Sequence, residues 1–228
     1  MKRLSGPVIL ILLSALLLTA CAAKTQWLPL FDSPDPNRTP AYLDDPSPTP
    51  TSGGNGQQDE NSIFKNEAES MESPRVVVYK SRNVLELWNG DTLMARLKAA
   101  MGKHEGAKQK SGDGKTPEGK YYVCKFVGNG QYYKSLFISY PNADDALAGL
   151  SDKVITQAQY DEIASAIDRQ EIPLWNTKLG GEIAISGTGT IGRGLEGNWT
   201  GGNVALSNDD MDYLLKYVSV GVEVEINP

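Results

Sequence analysis

Gly180–Asn208 reads GGEIAISGTGTIGRGLEGNWTGGNVALSN. Two short apolar pieces, Ile183–Ile185 and Val204–Leu206, enclose a run dominated by Gly, Thr and Asn. Apolar, β-prone ends around a glycine-rich middle predict two strands joined by a broad loop whose backbone comes close to another surface. Other strand signals surround this stretch. Arg75–Tyr79 and Val84–Trp88 flank Lys80–Asn83 as a hairpin, and Tyr121–Val127 and Tyr133–Ile138 follow as strands. Leu93–Ala100 is helical by composition. Ala143–Leu150 and Gln157–Arg169 read as helices, the second with Ala158, Ile163, Ala166 and Ile167 on one face. Asp209–Tyr217 is a third, capped by Ser207 or Asn208 with acids in its first turn. From Val218 to Ile226 apolar and polar residues alternate, which predicts a half-buried final strand.

The central stretch closely resembles the signature of the L,D-transpeptidase catalytic domain, GG-x-I-x-I-H-G followed, after a gap, by W-T-x-G-C-I-A-L-[ST]-[ND]-x-D-M. The matching text runs from Gly180 to Gly187 and from Trp199 to Met211. Two further pieces fit the same family: Gly112-Asp113-Gly114-Lys115-Thr116-Pro117-Glu118-Gly119, and Ser135-Leu136-Phe137-Ile138-Ser139-Tyr140-Pro141-Asn142. The resemblance covers about Val76 to Pro228. It implies a mainly β domain, a β-sandwich or barrel-like fold that is mostly antiparallel, with a helical insertion above the cleft and a strand over Leu93–Ala100.

The resemblance also implies an activity, peptidoglycan cross-linking through a cysteine nucleophile. The thiolate attacks a stem-peptide carbonyl, the terminal D-alanine leaves, and an amine of a neighbouring stem takes the acyl group. A histidine moves the protons and backbone N–H groups hold the oxyanion. In this chain the histidine position holds Ser186 and the cysteine position holds Asn203. An amide carries no anionic form at neutral pH, and a hydroxyl is not a useful base there. Nor does the loop encode a histidine to activate Ser186 as a nucleophile. The frame that remains is Gly187, Trp199, Thr200, Gly201 and Gly202, which form a substrate groove or simply pack and bond within the loop.

Three readings follow. The first is a pseudoenzyme that binds peptidoglycan stem peptides or regulates cell-wall enzymes. The second is an active transpeptidase or peptidase using a relocated residue such as Cys124 or His104. The third is a structural lipoprotein that binds a protein partner. Cys124, in an apolar strand, reads first as a small core residue. Lys103, Lys108, Lys110 and Lys115 cluster around His104, either as a solvated loop or as a basic wall facing stem-peptide carboxylates. The 112–119 segment reads as a tight turn set by Gly, Pro and Thr116.

Outside this domain, Lys2 and Arg3 followed by apolar Val8–Leu18 read as a signal peptide over 1–20. Leu18-Thr19-Ala20-Cys21 resembles a lipobox, with Cys21 the lipidation site and an extracytoplasmic, membrane-anchored product. Residues 21–73 carry seven prolines between Pro29 and Pro50 and a Ser/Gly/Asn/Gln run, and read as a disordered tether. Trp27, Leu28, Leu30 and Phe31 are placed at headgroup level, and a short helix is expected over Asn61–Glu72. The folded domain is then 74–228. Net charge is −6, unlike a nucleic-acid binder. With two cysteines and one histidine, no metal or other cofactor and no internal disulfide are expected.

Overall fold

The computed structural model describes residues 62–130, 132–190 and 193–228. The leader, Cys21 and the tether up to residue 61 lie outside the described residues. In chain order the elements are β1 (Phe64–Lys65), β2 (Pro74–Tyr79), β3 (Val84–Asn89), β4 (Thr92–Lys98), β5 (Gly119–Gly130), β6 (Tyr133–Ile138), α1 (Ala143–Ser151), α2 (Gln157–Asp168), β7 (Ala184–Gly187), β8 (Val204–Leu206), α3 (Asn208–Leu214) and β9 (Glu223–Asn227).

The nine strands form one curled sheet, a half-barrel, in the order β1-β4-β3-β2-β9-β5-β6-β7-β8. Most pairs are antiparallel; β2 with β9 and β7 with β8 are parallel. The last strand is therefore the keystone. It joins the N-terminal meander to the half of the sheet that carries the cleft, through β2 on one side and β5 on the other. Val224 and Ile226 are buried while Glu223 is exposed, as the period-2 pattern demands. The core fills the concave side, with Leu85, Leu97, Leu136 and Ile185 fully covered and α3 closing it through Met211 and Leu214. α1 and α2 pack a second, smaller cluster around Leu179. Each begins with a reciprocal cap, Asn142 with Asp145 and Thr156 with Gln159.

Leu93–Ala100 is strand rather than helix, because β3 offers it a full antiparallel ladder. Tertiary pairing outweighs a modest helix propensity. Two expectations need correction. No helix spans Asn61–Glu72 among the described residues: Phe64 and Lys65 pair with Arg96 and Ala95 on the open edge of β4. A short amphipathic stretch gains more from an unpaired sheet edge than from an isolated helical turn. The final strand starts at Glu223, not Val218. Ser219–Gly221 instead form a turn, with Gly221 at φ +96° and the Val222 N–H donating to Ser219 O at 3.2 Å.

Candidate functional site

β7 and β8 lie side by side, and their register places Ser186 opposite Ala205. Asn203 is the residue before β8, so both sequence-picked positions reach the same place. They line one open cleft of about 350 Å³ together with Gly187, Trp199, Thr200 and Gly201. Every groove candidate is thus brought together except Gly202, which is buried behind the lining.

The loop is held to the segment after β4. Ala100 and Ala205 exchange backbone bonds at 2.9 and 2.8 Å. Trp199 and Thr200 both donate to Met101 O, and Thr200 O accepts from the Lys103 N–H. Inside the loop, the Thr200 hydroxyl donates to Asn203 O at 2.6 Å and accepts from the Gly202 N–H at 3.1 Å. Thr200 is 5% exposed, so its role is to set the turn that presents Asn203. Gly202 has φ +136°, and a Cβ there would meet Lys115 O at 2.7 Å. No other residue fits that backbone. At Gly187 a Cβ would stand 2.6 Å from Asn208 Oδ1, which instead accepts the Gly189 N–H and turns the chain out of β7.

Asn203 is an integrated part of this frame. Its Oδ1 accepts the Ala184 N–H at 3.1 Å, adding a side-chain rung beside the β7–β8 pair. Ser186 is 3% exposed and lies between Ser135 of β6 and Ala205 of β8. Among the described residues lining the cleft there is no cysteine and no histidine.

The two alternative chemical groups lie elsewhere. Cys124 sits at a bulge in β5 and its thiol bonds Phe137 O at 3.4 Å. Burial pushes that thiol up to about 11, despite the opposing charge of Lys125. It is a protonated, half-buried thiol outside both core clusters, rather than the core residue the strand pattern suggests. His104 is held by its Nδ1 to Asp113 O at 2.6 Å and does not line the cleft.

The lysine cluster does not form a basic wall there. Lys108 is itself buried, paired with Asp113 at 3.0 Å, and none of the four lysines lines the cleft. The 112–119 turn stands behind the cleft loop and braces it through Lys115 O against Gly202 and through Thr116 Oγ1, which accepts the Gly102 N–H at 2.8 Å. No residue of α1 or α2 lines the cleft either. The helical insertion covers Leu179 on a different part of the surface.

Three lining residues escaped the sequence reading, Ala205 of β8 among them. Tyr132 reaches in from the turn between β5 and β6, and Arg193 from the long loop between β7 and β8. The Arg193 guanidinium lies 5.7 Å from the Trp199 ring centre, and Trp199 Nε1 donates to Gly194 O at 3.0 Å. Trp199 is therefore within cation–π reach of Arg193 and is tied to the loop that bears it. The signal was present, since Arg193 is the sole basic residue between Ser186 and Asn203. Among the described residues no group of three or more His, Cys, Asp or Glu side chains is placed to hold a metal.

Solved structures with a similar chain path include an L,D-transpeptidase from Xylanimonas cellulosilytica, at 14% identity, covering 72% of this chain and 64% of that one, with a TM-score of 0.42. The helical cell shape determining protein Pgp2 from Campylobacter jejuni is similar at 22% identity over 72% of this chain and 49% of that one, TM-score 0.46. Bd1075 from Bdellovibrio bacteriovorus is similar at 20% identity over 73% and 52%, TM-score 0.42. The chain spans less than two thirds of the length of each of these. No curated protein sequence matches it. Residues 73–226, well over half of the chain, match the family model of the YkuD L,D-transpeptidase catalytic domain, and the chain belongs to that family.

Proposed function

We propose that this chain is a membrane-tethered, extracytoplasmic pseudoenzyme of the L,D-transpeptidase family, which binds peptidoglycan stem peptides without cross-linking them. The observation that carries the reading is the chemistry of the cleft. Where the family motif has its histidine and cysteine, Ser186 and Asn203 face the same open cleft. Neither forms a thiolate or takes up a proton near pH 7. The backbone frame around them is kept, with Thr200 setting the turn and Asn203 bridging to Ala184. A cleft of glycine backbone, two aromatic side chains and a few hydroxyl and amide groups suits an extended peptide. Cys124, protonated and packed against β6, is no substitute nucleophile.

The membrane tether in this proposal rests on the sequence alone, with lipid on Cys21 and residues 22–61 as spacer. The deciding experiment is incubation of the full chain with purified peptidoglycan, followed by sedimentation and by analysis of the muropeptides. The expected result is co-sedimentation with no released D-alanine and no new cross-links. Released D-alanine would overturn the pseudoenzyme reading. Failure to sediment would leave a structural or partner-binding lipoprotein in its place.

A further inference from the structure

The cleft is electrically lopsided. Ser186, Gly187, Thr200, Gly201 and Asn203 give it neutral, polar walls, and Arg193 is the one charged residue among the described residues lining it. A guanidinium at the mouth of a cleft is ordinarily neutralised by a carboxylate nearby. Here no ion pair joins Arg193 to any described residue. The nearest acid in sequence, Glu196, is engaged by Lys98 instead. The positive charge is nonetheless held in place. It lies 5.7 Å from the ring centre of Trp199, whose indole N–H is bonded back to Gly194 O in the same loop. The backbone of Trp199 is in turn fixed to Met101 O at 3.1 Å.

A guanidinium in a cation–π contact keeps its N–H groups available for hydrogen bonds. It is pre-organised to form a two-point contact with a carboxylate. We propose that Arg193 is the charge anchor of the cleft, and that the peptide bound there presents a free carboxylate to it. This inference rests on the peptide-binding reading above and adds the group by which the peptide is selected. Ser186 and Asn203 lie deeper and meet the uncharged amide portion. Arg193 grips the acidic end, so the cleft discriminates peptides by terminal charge.

The test uses the full chain and two synthetic stem-type tetrapeptides, both amidated at every side-chain carboxyl. They differ only in ending with a free C-terminal carboxylate or with a C-terminal amide. Titration calorimetry on the wild type is expected to favour the acid form by about tenfold, a typical value for one charge-assisted contact at a partly exposed site. Half-molar salt should shrink that preference. Arg193→Gln should erase the preference, so that the acid and amide forms bind it equally. Arg193→Lys should restore only part of it, because an ammonium lacks the planar fork. Arg193 is exposed, so neither substitution disturbs the core. Equal binding of acid and amide by the wild type, or an undiminished preference in Arg193→Gln, would overturn the anchor while leaving peptide binding intact. If neither peptide binds the wild type, the binding function itself fails and the anchor with it.

Discussion

Asn203 shows how a lost catalytic position becomes structural. In the family motif that position is a cysteine. In this chain the amide oxygen accepts the Ala184 N–H at 3.1 Å and couples β7 to the residue before β8. Returning a cysteine to the position removes that acceptor and leaves an inward N–H without its partner. Asn203→Cys should therefore cost about 1 kcal/mol in urea unfolding, and its thiol, lacking a base, should react slowly. Ser186→His alone provides a base with nothing to activate. The double variant should differ from both. General-base assistance is worth roughly 10²–10⁴ in rate, and groups that act as a unit are strongly non-additive. Intact-mass measurement over time with a carbapenem, which acylates the family's cysteine, should show an adduct in the double variant and almost none in either single one. A folded double variant no faster than Asn203→Cys alone would mean that the cleft has lost catalytic geometry.

At the scale of the element, the 112–119 turn behaves differently from what its Gly and Pro content suggests. Sequence reading credited those residues and Thr116. Thr116 does hold Gly102, but the centre of the loop is Asp113. Its carboxylate accepts the backbone N–H groups of Gln109, Lys110 and Lys115 and pairs with buried Lys108. Burial alone would raise its pKa; these four donors outweigh that and bring it down to about 2. A carboxylate depressed in the folded state gives stability that is present above pH ~4 and is lost as the pH falls through about 2. Asp113→Asn should lose about 2–4 kcal/mol at pH 7, since Lys108 keeps its charge without its partner. The gap between wild type and variant should narrow by about 1 kcal/mol at pH 3. A gap independent of pH would assign the loss to packing alone. The contrast explains what was legible. Alternation in Val224 and Ile226, the cap at Ser207 and the two ends of the cleft loop are local patterns, and each appears as read. Asp113 and Arg193 act through partners close in sequence, Gln109 to Lys115 and Trp199, but in irregular loop conformations with no period that would mark those partners. The sequence leaves the lysine cluster open between a solvated loop and a basic wall. Its charges were visible in the sequence, but the burial of Lys108 was not.

Across the whole domain, the sequence boundary at residue 74 divides a unit that the structure keeps together. Phe64 and Lys65 extend the sheet beyond β4, and the chain from Asn66 to Met71 then runs along α3 toward β2. Asn66 O accepts the Tyr213 hydroxyl, Lys65 pairs with Asp210 at 2.8 Å, and Glu67 pairs with Lys216 at 3.0 Å. The Tyr217 hydroxyl bonds the Ala68 backbone, and Met71 packs against the main core. The two ion pairs are partly or well exposed and add little individually. Partial burial of Phe64 and Met71, with the hydroxyl bonds, is worth about 2–3 kcal/mol. This strap lies against α3, the helix that follows β8 and the cleft loop. A chain beginning at Pro74 should still fold, because the keystone strand β9 and both of its neighbours remain. Its thermal midpoint should nonetheless fall by about 5–10 °C relative to one beginning at Ser62, on the scale expected for a domain of this size. The decisive comparison adds Tyr213→Phe to both chains. If the strap acts through the Tyr213 hydroxyl, the substitution lowers the midpoint of the longer chain and hardly changes the shorter one. Equal midpoints for the two unsubstituted chains would show that residues 62–73 contribute nothing to the fold, and the domain would then begin at β2.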